Sequence, residues 1–462
     1  MKSKWGLVTS LALAGSLVVS QSAFANGDST DQERAEPRMN KMEAGSMSET
    51  EPNNSVDQAN LIEENSFVTG HLPADDTDYF TFEVTGDEAA YFVSTAYPNA
   101  DTSDMALKLE LYNSDKGEVV PDEEYGDDTG FYDLVTELEP GTYYLNITDE
   151  NNSGEEEGYF LETSVFTDEP TIDRLSGKDR YATAVEIAKA GWFEGDTSEL
   201  VLATGTDFPD ALAASPLAYH LEAPILLTRN NSIPDVVEEA IEYFDPDHIT
   251  IVGGSYAVSD GVQSYLEDTM GIETTRISGK DRYETAALIA DELPGKETAY
   301  VVNGSNYPDA LSIASYAAYM ESPILLSRKN SLPSPTADIV GDYNDSWIIG
   351  GKGVVSTDVY RELPNPKRIG GKDRYETSVQ VVKQLKMDAS YASLATGQNF
   401  ADALTGSVLS AQFGEPVLLT KKNSLPASVK NLFTDRGTFY YTIYGGTGVI
   451  SENVVEELKS IN

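Results

Sequence analysis

The sequence contains no cysteine and only three histidines. Without cysteine, the protein can form no disulfide, no thiolate nucleophile and no thiolate metal site. The folded state must therefore be stabilised by burial of apolar surface. A chain of 462 residues with 40% hydrophobic content has enough apolar material for several cores of ordinary domain size.

Basic residues are also scarce, with 31 Lys and Arg against 77 Asp and Glu and a formal net charge of -46. Such a surface repels a phosphate backbone, which argues against a nucleic-acid partner. In concentrated salt the Debye length falls to about 3 Å and this repulsion is screened. We interpret the acidity as an adaptation to a salty or alkaline exterior. The alternative is an acidic secreted protein whose charge has no special meaning.

Long apolar runs are missing except near the N-terminus. Residues 1–25 begin with Lys2 and Lys4, continue through an apolar run at 7–19 and end on Ala-Phe-Ala. This pattern predicts a secretory signal peptide that is cleaved after Ala25. The run is too short for a membrane span, which needs roughly 18 apolar residues, and no lipidation cysteine or C-terminal sorting signal follows. We expect a secreted, extracellular protein without a membrane span, retained on the cell surface by non-covalent contacts.

Residues 26–167 contain two regions of different character. The stretch 26–49 is polar and acidic without apolar periodicity, and predicts a flexible leader. The stretch 50–167 alternates apolar and polar residues, most clearly at 78–84, 106–112 and 141–147, with turn sequences between the alternating segments. Short strands at this spacing predict an all-β sandwich.

The sandwich region resembles the bacterial pre-peptidase C-terminal domain, a jelly-roll-like accessory module of secreted enzymes. The resemblance is carried by EPNN at 51–54, a turn at Gly70, DTDYFTF at 76–82 and LEPGTYYL at 138–145. It implies a targeting or surface-interaction role and carries no catalytic residues.

One acidic turn in this region is a candidate calcium site. Asp75, Asp76 and Asp78 directly precede a predicted strand and offer the hard oxygen ligands that calcium prefers. Their spacing is not that of an EF-hand loop. A solvated acidic turn without a metal is the alternative, and no other cofactor is expected.

Four sequence blocks recur three times, in the same order, from residue 171 onward. The first block is RLSGKDRY at 174–181, RISGKDRY at 276–283 and RIGGKDRY at 368–375. The second is TGTDFPDAL at 204–212, NGSNYPDAL at 303–311 and TGQNFADAL at 396–404. The third is PILL at 224–227 and 323–326, and PVLL at 416–419. The fourth ends in a glycine pair at 253–254, 350–351 and 445–446. We place repeat 1 at 171–272, repeat 2 at 273–365 and repeat 3 at 366–462.

Each repeat predicts a small α/β domain, because short apolar runs alternate with helical patterns. In repeat 1, Tyr181, Val185 and Ala188 have the i, i+4, i+7 spacing of a buried helix stripe. Alternating strands and helices favour parallel strands with helices on both faces, in an open doubly wound sheet.

Together the four blocks resemble the type 2 cell-wall-binding repeat of Gram-positive surface proteins, which is normally present as three tandem copies. The resemblance extends from residue 171 to the C-terminus. It implies three α/β domains associated about a pseudo-threefold axis. It also implies non-covalent binding to an anionic wall polymer, such as a teichoic acid or a related polysaccharide.

Basic residues at recurring positions are the candidates for contact with such a polymer. The first cationic group lies in the first block and consists of Lys178, Arg180, Lys280, Arg282, Lys372 and Arg374. The second cationic group follows the third block and consists of Arg229, Arg328, Lys329, Lys421 and Lys422. Arg clamps phosphate or carboxylate in a bidentate manner and Lys supplies a point charge. For the first group, the alternative is an ion pair with the neighbouring Asp that holds the repeats together.

The second cationic group follows a strand, and ligands of open α/β sheets bind beyond the carboxyl ends of strands. An Asn-Ser pair and then a proline come next in each repeat, which predicts a helix N-terminus with exposed amides that favour anions. We therefore expect this edge of each sheet to face the ligand.

Two other recurring features suggest catalysis or nucleotide binding, but the residues favour simpler explanations. Asp210, Asp309 and Asp402 open helices, so we predict that they cap them, since no histidine recurs beside them. The glycine pairs lack the dinucleotide and P-loop signatures and predict tight turns or close packing. We therefore expect a non-catalytic wall-binding protein. The alternatives are an accessory partner of a wall hydrolase such as an amidase, or an enzyme that uses the repeated Asp residues.

Overall fold

The computed structural model describes residues 45–63, 66–86, 89–99, 103–126, 130–153, 158–166, 170–195, 197–206 and 210–461. The chain forms two compact units, Met1–Glu169 and Pro170–Asn462. The predicted signal peptide and the leader up to residue 44 lie outside the described residues. Within the described ranges, no helix has both the length and the apolar character needed to cross a membrane.

The first unit is built from β-strands that form two sheets. The strands are β1 (Gly45–Ser48), β2 (Asn60–Leu61), β3 (Ser66–His71), β4 (Asp78–Val84), β5 (Ala90–Pro98), β6 (Leu107–Asn113), β7 (Glu118–Val119), β8 (Glu123–Gly126), β9 (Tyr132–Leu138), β10 (Gly141–Asp149) and β11 (Gly158–Phe166). One sheet has the order β1-β3-β11-β5-β9-β8 and the other the order β2-β4-β10-β6-β7. The strands predicted from alternation at 78–84, 106–112 and 141–147 correspond to β4, β6 and β10.

The two sheets of this unit share one apolar core. Phe82 on β4 stacks on Phe92 on β5 with ring centroids 4.4 Å apart, and these strands belong to different sheets. Strand β4 alternates buried and partly exposed residues, as expected for a strand with one face on a core.

The last residues of the stretch predicted to be a flexible leader form a strand instead. Strand β1 lies within 26–49 and pairs in parallel with β3, with Gly45 opposite Ser66. A short edge strand is held by backbone hydrogen bonds to its neighbour, so it needs no apolar periodicity of its own. The pattern that predicted flexibility was therefore misleading for these last residues.

The second unit alternates strands and helices, as predicted. Its strands are β12 (Thr171–Leu175), β13 (Glu199–Thr204), β14 (Ile225–Thr228), β15 (His248–Val252), β16 (Glu273–Ile277), β17 (Thr298–Asn303), β18 (Ile324–Ser327), β19 (Asp345–Ile349), β20 (Pro366–Ile369), β21 (Tyr391–Thr396), β22 (Val417–Thr420) and β23 (Tyr440–Tyr444). Its α-helices are α1 (Arg180–Gly191), α2 (Ala214–His220), α3 (Asp235–Phe244), α4 (Asp260–Tyr265), α5 (Arg282–Glu292), α6 (Pro308–Tyr319), α7 (Ser334–Val340), α8 (Thr357–Glu362), α9 (Arg374–Leu385), α10 (Ala401–Gln412), α11 (Ala427–Arg436) and α12 (Glu452–Lys459).

Each repeat builds a four-stranded parallel sheet, but the fourth strand comes from another repeat. The sheet orders are β14-β13-β15-β16, β18-β17-β19-β20 and β22-β21-β23-β12. Strands β16 and β20 open repeats 2 and 3 in sequence and complete the sheets of repeats 1 and 2. Strand β12 opens repeat 1 and completes the sheet of repeat 3, with Thr171 opposite Tyr440. The three sheets are therefore linked cyclically.

The first helix of each repeat begins in the first block because an aspartate caps it. The Asp179 carboxylate accepts hydrogen bonds from the backbone amides of Tyr181 and Ala182 at 3.0 Å. Tyr181, Val185 and Ala188 are buried, which confirms the predicted stripe. The glycine two residues before the cap allows close approach, since a Cβ on Gly177 would lie 2.4 Å from the Ala182 Cβ.

The helices that follow the second block bring the three repeats into contact. Helices α2, α6 and α10 touch one another pairwise, and α10 buries every residue from Ala401 to Ala411. A buried hydrogen bond of 2.8 Å joins the Ser407 and Ser215 hydroxyls across repeats 3 and 1. A helix that is buried on all sides belongs to the centre of a larger core. The three repeats therefore share one hydrophobic core.

Candidate functional site

Three arginines that the sequence analysis did not single out join neighbouring repeats. Arg276 Nη1 donates to the carbonyl oxygens of Gly253 at 2.8 Å and Val258 at 2.9 Å. The equivalent bonds run from Arg174 to Gly445 and from Arg368 to Gly350, both at 2.8 Å. Each arginine lies on the strand that completes its neighbour's sheet. We call Arg174, Arg276 and Arg368 the closing arginines, and their recurrence at the start of the first block was the signal that could have identified them.

The glycine pairs form tight turns, as predicted. The first glycine of each pair has a positive φ, which is +109° at Gly253, +121° at Gly350 and +107° at Gly445. A Cβ on Gly350 would also lie 2.7 Å from Asp309 Oδ2, so a side chain is excluded on both grounds. We call residues 253–259, 350–356 and 445–451 the Gly-Gly loops.

The repeated aspartates of the second block do not cap their helices, so that prediction is wrong. Asp309 and Asp402 are the second residues of α6 and α10, and neither helix has a side-chain cap. The two residues are 6% and 5% exposed, and their carboxylates lie against the first glycines of the Gly-Gly loops. Burial raises the pKa of each to about 6. This increase is opposed at Asp309 by a hydrogen bond with Thr377 and by the charge of Arg374, and at Asp402 by the charge of Arg180. Each arginine belongs to a different repeat from its aspartate.

Asp309 and Arg374 line a cleft of about 350 Å³ between repeats 2 and 3. Repeat 2 supplies Asn306, Pro308, Asp309, Gly351, Gly353 and Val354, and repeat 3 supplies Gly371, Lys372, Asp373, Arg374 and Thr377. The residues of repeat 2 follow β17 and β19, the two adjacent strands at the centre of this sheet. The strand that follows β17 in the chain, β18, lies at one edge of the sheet, and the strand that follows β19, β20, lies at the other edge. This is the switch point of a doubly wound sheet, where ligands of such sheets usually bind.

The other two junctions repeat the contacts of this cleft. The Gly253 and Gly445 turns lie against Asp210 and Asp402 in the same way as Gly350 lies against Asp309. The same turns accept hydrogen bonds from closing arginines of the following repeat in the cycle. The chain therefore presents three related junctions, each made by two repeats.

The first cationic group lies at these junctions, with different roles for its arginines and lysines. Arg282 Nη1 donates to the Gly304 carbonyl oxygen at 2.7 Å, and Arg180 and Arg374 make the same bond to Gly205 and Gly397. An ion pair with the neighbouring aspartate was the alternative to polymer contact for these arginines, but in each repeat that aspartate caps the first helix. The lysines Lys178, Lys280 and Lys372 are exposed, and Lys372 lines the cleft.

The second cationic group lies beside the first. The Arg229 guanidinium stacks 5.2 Å from the Tyr181 ring centroid, and the equivalent distances are 5.3 Å for Arg328 on Tyr283 and 5.7 Å for Lys421 on Tyr375. These tyrosines directly follow the first-group arginines in the sequence. Lys329 and Lys422 are exposed, and their carbonyl oxygens accept the amides of Ser356 and Ser451 in the Gly-Gly loops, both at 2.8 Å. The structure thus brings both groups to the carboxyl edge of each sheet.

The helices that follow the second cationic group start where the sequence predicted. Helices α3, α7 and α11 each begin directly after the proline, at Pro234, Pro333 and Pro426. Their first turns therefore lie close to Arg229, Arg328 and Lys421 in the sequence.

The first unit contains a separate acidic cluster that differs from the predicted calcium site. Glu51, Asp76 and Asp78 each place a carboxylate oxygen within 4.8 Å of the others. Asp75 is not part of this cluster, because its amide and carboxylate bond to the Asn152 side chain at 2.6 and 3.2 Å. Glu51 was missed because it lies some 25 residues earlier in the sequence.

Asp78 is the buried member of this acidic cluster. It accepts a hydrogen bond of 2.6 Å from the Tyr159 hydroxyl. Burial raises the pKa of Asp78 to about 9, and the nearby Glu49 and Asp76 add to this increase. Asp78 therefore holds its proton at neutral pH unless a cation joins the cluster.

The repeat region is similar in sequence to two bacterial proteins. It is 31% identical over 292 residues to the N-acetylmuramoyl-L-alanine amidase LytC of Bacillus subtilis strain 168, covering 63% of this chain and 58% of the relative. It is 35% identical over 292 residues to the amidase enhancer of the same organism, covering 62% of this chain and 40% of the relative. The chain thus spans about half the length of these relatives, and the match to the amidase runs through the binding repeats.

Two solved structures from Clostridium difficile are similar in fold. Cwp8 superposes with a TM-score of 0.59 at 29% identity, covering 63% of this chain and 51% of that one. Cwp6 superposes with a TM-score of 0.61 at 22% identity, covering 86% of this chain and 68% of that one, and this likeness concerns the fold alone. The model of cell wall binding domain 2 matches residues 174–263, 276–360 and 368–455. With three copies that together span more than half of its length, the chain belongs to the cell wall binding domain 2 family.

Proposed function

We propose that this protein is secreted and held non-covalently on a Gram-positive cell wall by its three repeats. The ligand is an anionic wall polymer, of the teichoic-acid type or a related polysaccharide. The observation that carries the proposal is the convergence of both cationic groups at the three junctions, on a chain with a net charge of -46. Local positive charge on so acidic a surface favours a specific anionic ligand over non-specific adsorption.

Three related junctions on one chain suit a repeating polymer. Once one junction holds a segment of the polymer, the other two meet neighbouring segments at a high effective concentration. Modest affinity at each junction then gives firm retention without a covalent bond. We propose that the repeats are arranged about a pseudo-threefold axis, and this is supported by the cyclic exchange of strands and the pairwise contacts of α2, α6 and α10.

The test of this proposal is sedimentation of the full chain with purified walls. We expect the protein to pellet with intact walls, and more so in concentrated salt, because long-range repulsion between the acidic protein and the polymer is then screened. Walls from which the anionic polymers have been chemically removed should leave most of the protein in solution. Equal binding to intact and stripped walls would contradict the proposed ligand.

We propose that the first unit is a jelly-roll-like domain of the pre-peptidase C-terminal type, displayed by the anchored repeats. The proposal is supported by the positions of the family sequences, since DTDYFTF forms most of β4 and LEPGTYYL leads into β10. We assign the whole protein a binding role without catalysis. The names of the curated relatives favour a second candidate, an accessory partner of a wall amidase, which recovery of an amidase with the tagged protein from wall extracts would support.

We propose that the acidic cluster of the first unit binds calcium through Glu51, Asp76 and Asp78. The donor set fits, because carboxylate oxygens are the ligands that calcium prefers, and the charged groups that raise the pKa of Asp78, Glu49 and Asp76, are themselves carboxylates. A bound cation would favour the ionised form of Asp78.

Calcium is therefore expected to stabilise the first unit and to release a proton. At 10 mM calcium and a dissociation constant near 1 mM, the gain in the free energy of unfolding is about 1.4 kcal/mol. Calorimetry should show a higher Tm, and a weakly buffered solution at neutral pH should become more acidic as calcium is added. Asp78→Asn should abolish both effects, whereas Asp115→Asn, an exposed carboxylate of the same unit, should preserve them. A wild-type Tm that does not change when calcium is added would contradict the proposed calcium site.

A further inference from the structure

The Gly-Gly loop of repeat 1 carries a tyrosine that its two counterparts lack. Tyr256 occupies the position of Gly353 in repeat 2 and of Gly448 in repeat 3. Its side chain is 100% exposed. A large aromatic ring held fully in solvent gives up the burial that would otherwise stabilise the fold, so the reason for its presence lies outside the packing of the repeat.

The backbone that carries Tyr256 is held in place. The Asn230 side-chain amide donates to the Tyr256 carbonyl oxygen at 2.7 Å and to the Ser255 carbonyl oxygen at 3.3 Å. The turn itself is closed by the amides of Ala257 and Val258, which donate to the Gly254 carbonyl oxygen at 2.8 and 3.0 Å. The ring is thus displayed from a fixed loop.

Asn230 itself replaces a cation of the second group. The corresponding residues of repeats 2 and 3 are Lys329 and Lys422, whose side chains are exposed. Repeat 1 has therefore exchanged a lysine for an amide that clamps its Gly-Gly loop, and a glycine for an exposed aromatic ring. At this place repeat 1 therefore has one positive charge fewer than repeats 2 and 3, and one exposed aromatic ring more.

The position of Tyr256 in the fold places it at a junction. Its counterpart Gly353 lines the cleft between repeats 2 and 3, so Tyr256 lies at the corresponding rim of the junction between repeats 1 and 2. The first-group residues of that junction are Lys280 and Arg282. The cleft between repeats 2 and 3 is lined by Lys372 and Arg374, and the Gly-Gly loop beside it carries a further exposed lysine, Lys352, between the lining residues Gly351 and Gly353.

We propose that Tyr256 adds a sugar-stacking subsite to the junction of repeats 1 and 2. An uncharged pyranose ring lies with its C–H face on the tyrosine ring, whose electron-rich face attracts the slightly positive hydrogens. The cationic groups at the three junctions hold the anionic groups of the same polymer. This inference rests on the proposed function, since it assigns a sugar component to the same ligand.

The full chain and its Tyr256 variants provide the test, with binding to purified walls measured at low salt and at about 1 M salt, where the Debye length is about 3 Å. Tyr256→Gly is expected to weaken binding roughly fivefold, the equivalent of an aromatic contact of about 1 kcal/mol. Because stacking is not screened, the loss should persist at high salt. Tyr256→Phe keeps the ring and should bind as the wild type does.

The reciprocal variant is Gly448→Tyr. A Cβ at Gly448 meets no atom within 4 Å, so the repeat can accept the ring without strain. This variant should bind walls several-fold more tightly, because a second ring is then offered to the polymer.

The outcomes separate this inference from the proposed function. Wild-type protein that fails to bind walls overturns the proposed function itself. Firm wild-type binding that Tyr256→Gly leaves unchanged overturns the stacking subsite alone. A Tyr256→Phe variant as weak as Tyr256→Gly also overturns it, because a hydrogen bond from the hydroxyl is then the contact that matters. A loss in Tyr256→Gly with retention in Tyr256→Phe supports it.

Discussion

A chain that begins at residue 176 is expected to lose the fold of its third repeat, whereas a chain that begins at residue 170 should keep it. The six residues that differ include β12, which pairs with β23 near the other end of the sequence. Without β12, β23 becomes an exposed edge and the Gly445 and Ile450 carbonyl oxygens lose their bonds to Arg174. Because α10 of repeat 3 packs against α2 and α6, the loss should spread to the other repeats.

The expected effect is large compared with the stability of a domain. Removal of the five-residue strand and its arginine breaks several hydrogen bonds, each of which contributes about 1 kcal/mol to the free energy of unfolding. The free energy of unfolding of a typical domain is roughly 5–15 kcal/mol. Urea denaturation followed by tryptophan fluorescence and circular dichroism should show a much lower midpoint for the shorter chain, together with weaker wall binding.

A single substitution tests the contacts of Arg174 separately from the other effects of truncation. Arg174→Ala should lower the unfolding midpoint, since it leaves carbonyl groups of the Gly-Gly loop without their partner. Arg361→Ala, at an exposed arginine whose ion pair is within its own helix, should have little effect. Equal midpoints for the chains starting at 170 and 176 would show that the closing strand does not matter.

Replacing Arg229, Arg328 and Lys421 with glutamine together is expected to release the protein from walls. Each of these cations is exposed and stacks on a tyrosine at the carboxyl edge of its sheet. If each contributes about 1 kcal/mol to a charge-assisted contact, the combined loss is about 3 kcal/mol, on the order of 100-fold in affinity. The affinity falls steeply because the three junctions act on one polymer.

A matched variant controls for the change in net charge. Arg361, Lys383 and Lys459 lie at the C-terminal ends of α8, α9 and α12. Helices in parallel α/β folds run opposite to the strands, so these cations lie at the edge of the sheets away from the junctions. Their triple replacement with glutamine removes the same three charges and should leave binding unchanged. Unaltered wall binding by the Arg229, Arg328 and Lys421 variant would remove the second cationic group from the site.

The sequence predicted the features that depend on local geometry. The starts of the first helices, the buried stripe of Tyr181, Val185 and Ala188, and the turns at the glycine pairs all follow from residues within a few positions of one another. The recurrence of the cationic groups was also visible, because a threefold repeat shows each position three times. The family resemblance rested on the same short blocks.

The tertiary structure decided which of these residues meet. Arg174 bonds to Gly445 across 271 positions of sequence, and the charge of Arg180 lowers the pKa of Asp402 although the two residues belong to different repeats. Sequence reasoning assigned the second-block aspartates to helix caps. It offered neighbouring carboxylates as the alternative to polymer contact for the first-group arginines, because those partners are close along the chain. Likewise, Glu51 joins Asp76 and Asp78 only when the strands of the first unit are assembled.

The sequence by itself therefore determined that the protein has three α/β repeats, where their turns and helix starts lie, and which cations recur. Only the tertiary structure decided that each repeat completes its sheet with a strand from another, and that the candidate polymer sites lie between repeats. The physical reason is that caps and turns are set by hydrogen bonds over a few residues. Strand exchange depends instead on backbone pairing, which any sequence of suitable pattern can supply, so its partner is fixed by the packing of the whole unit.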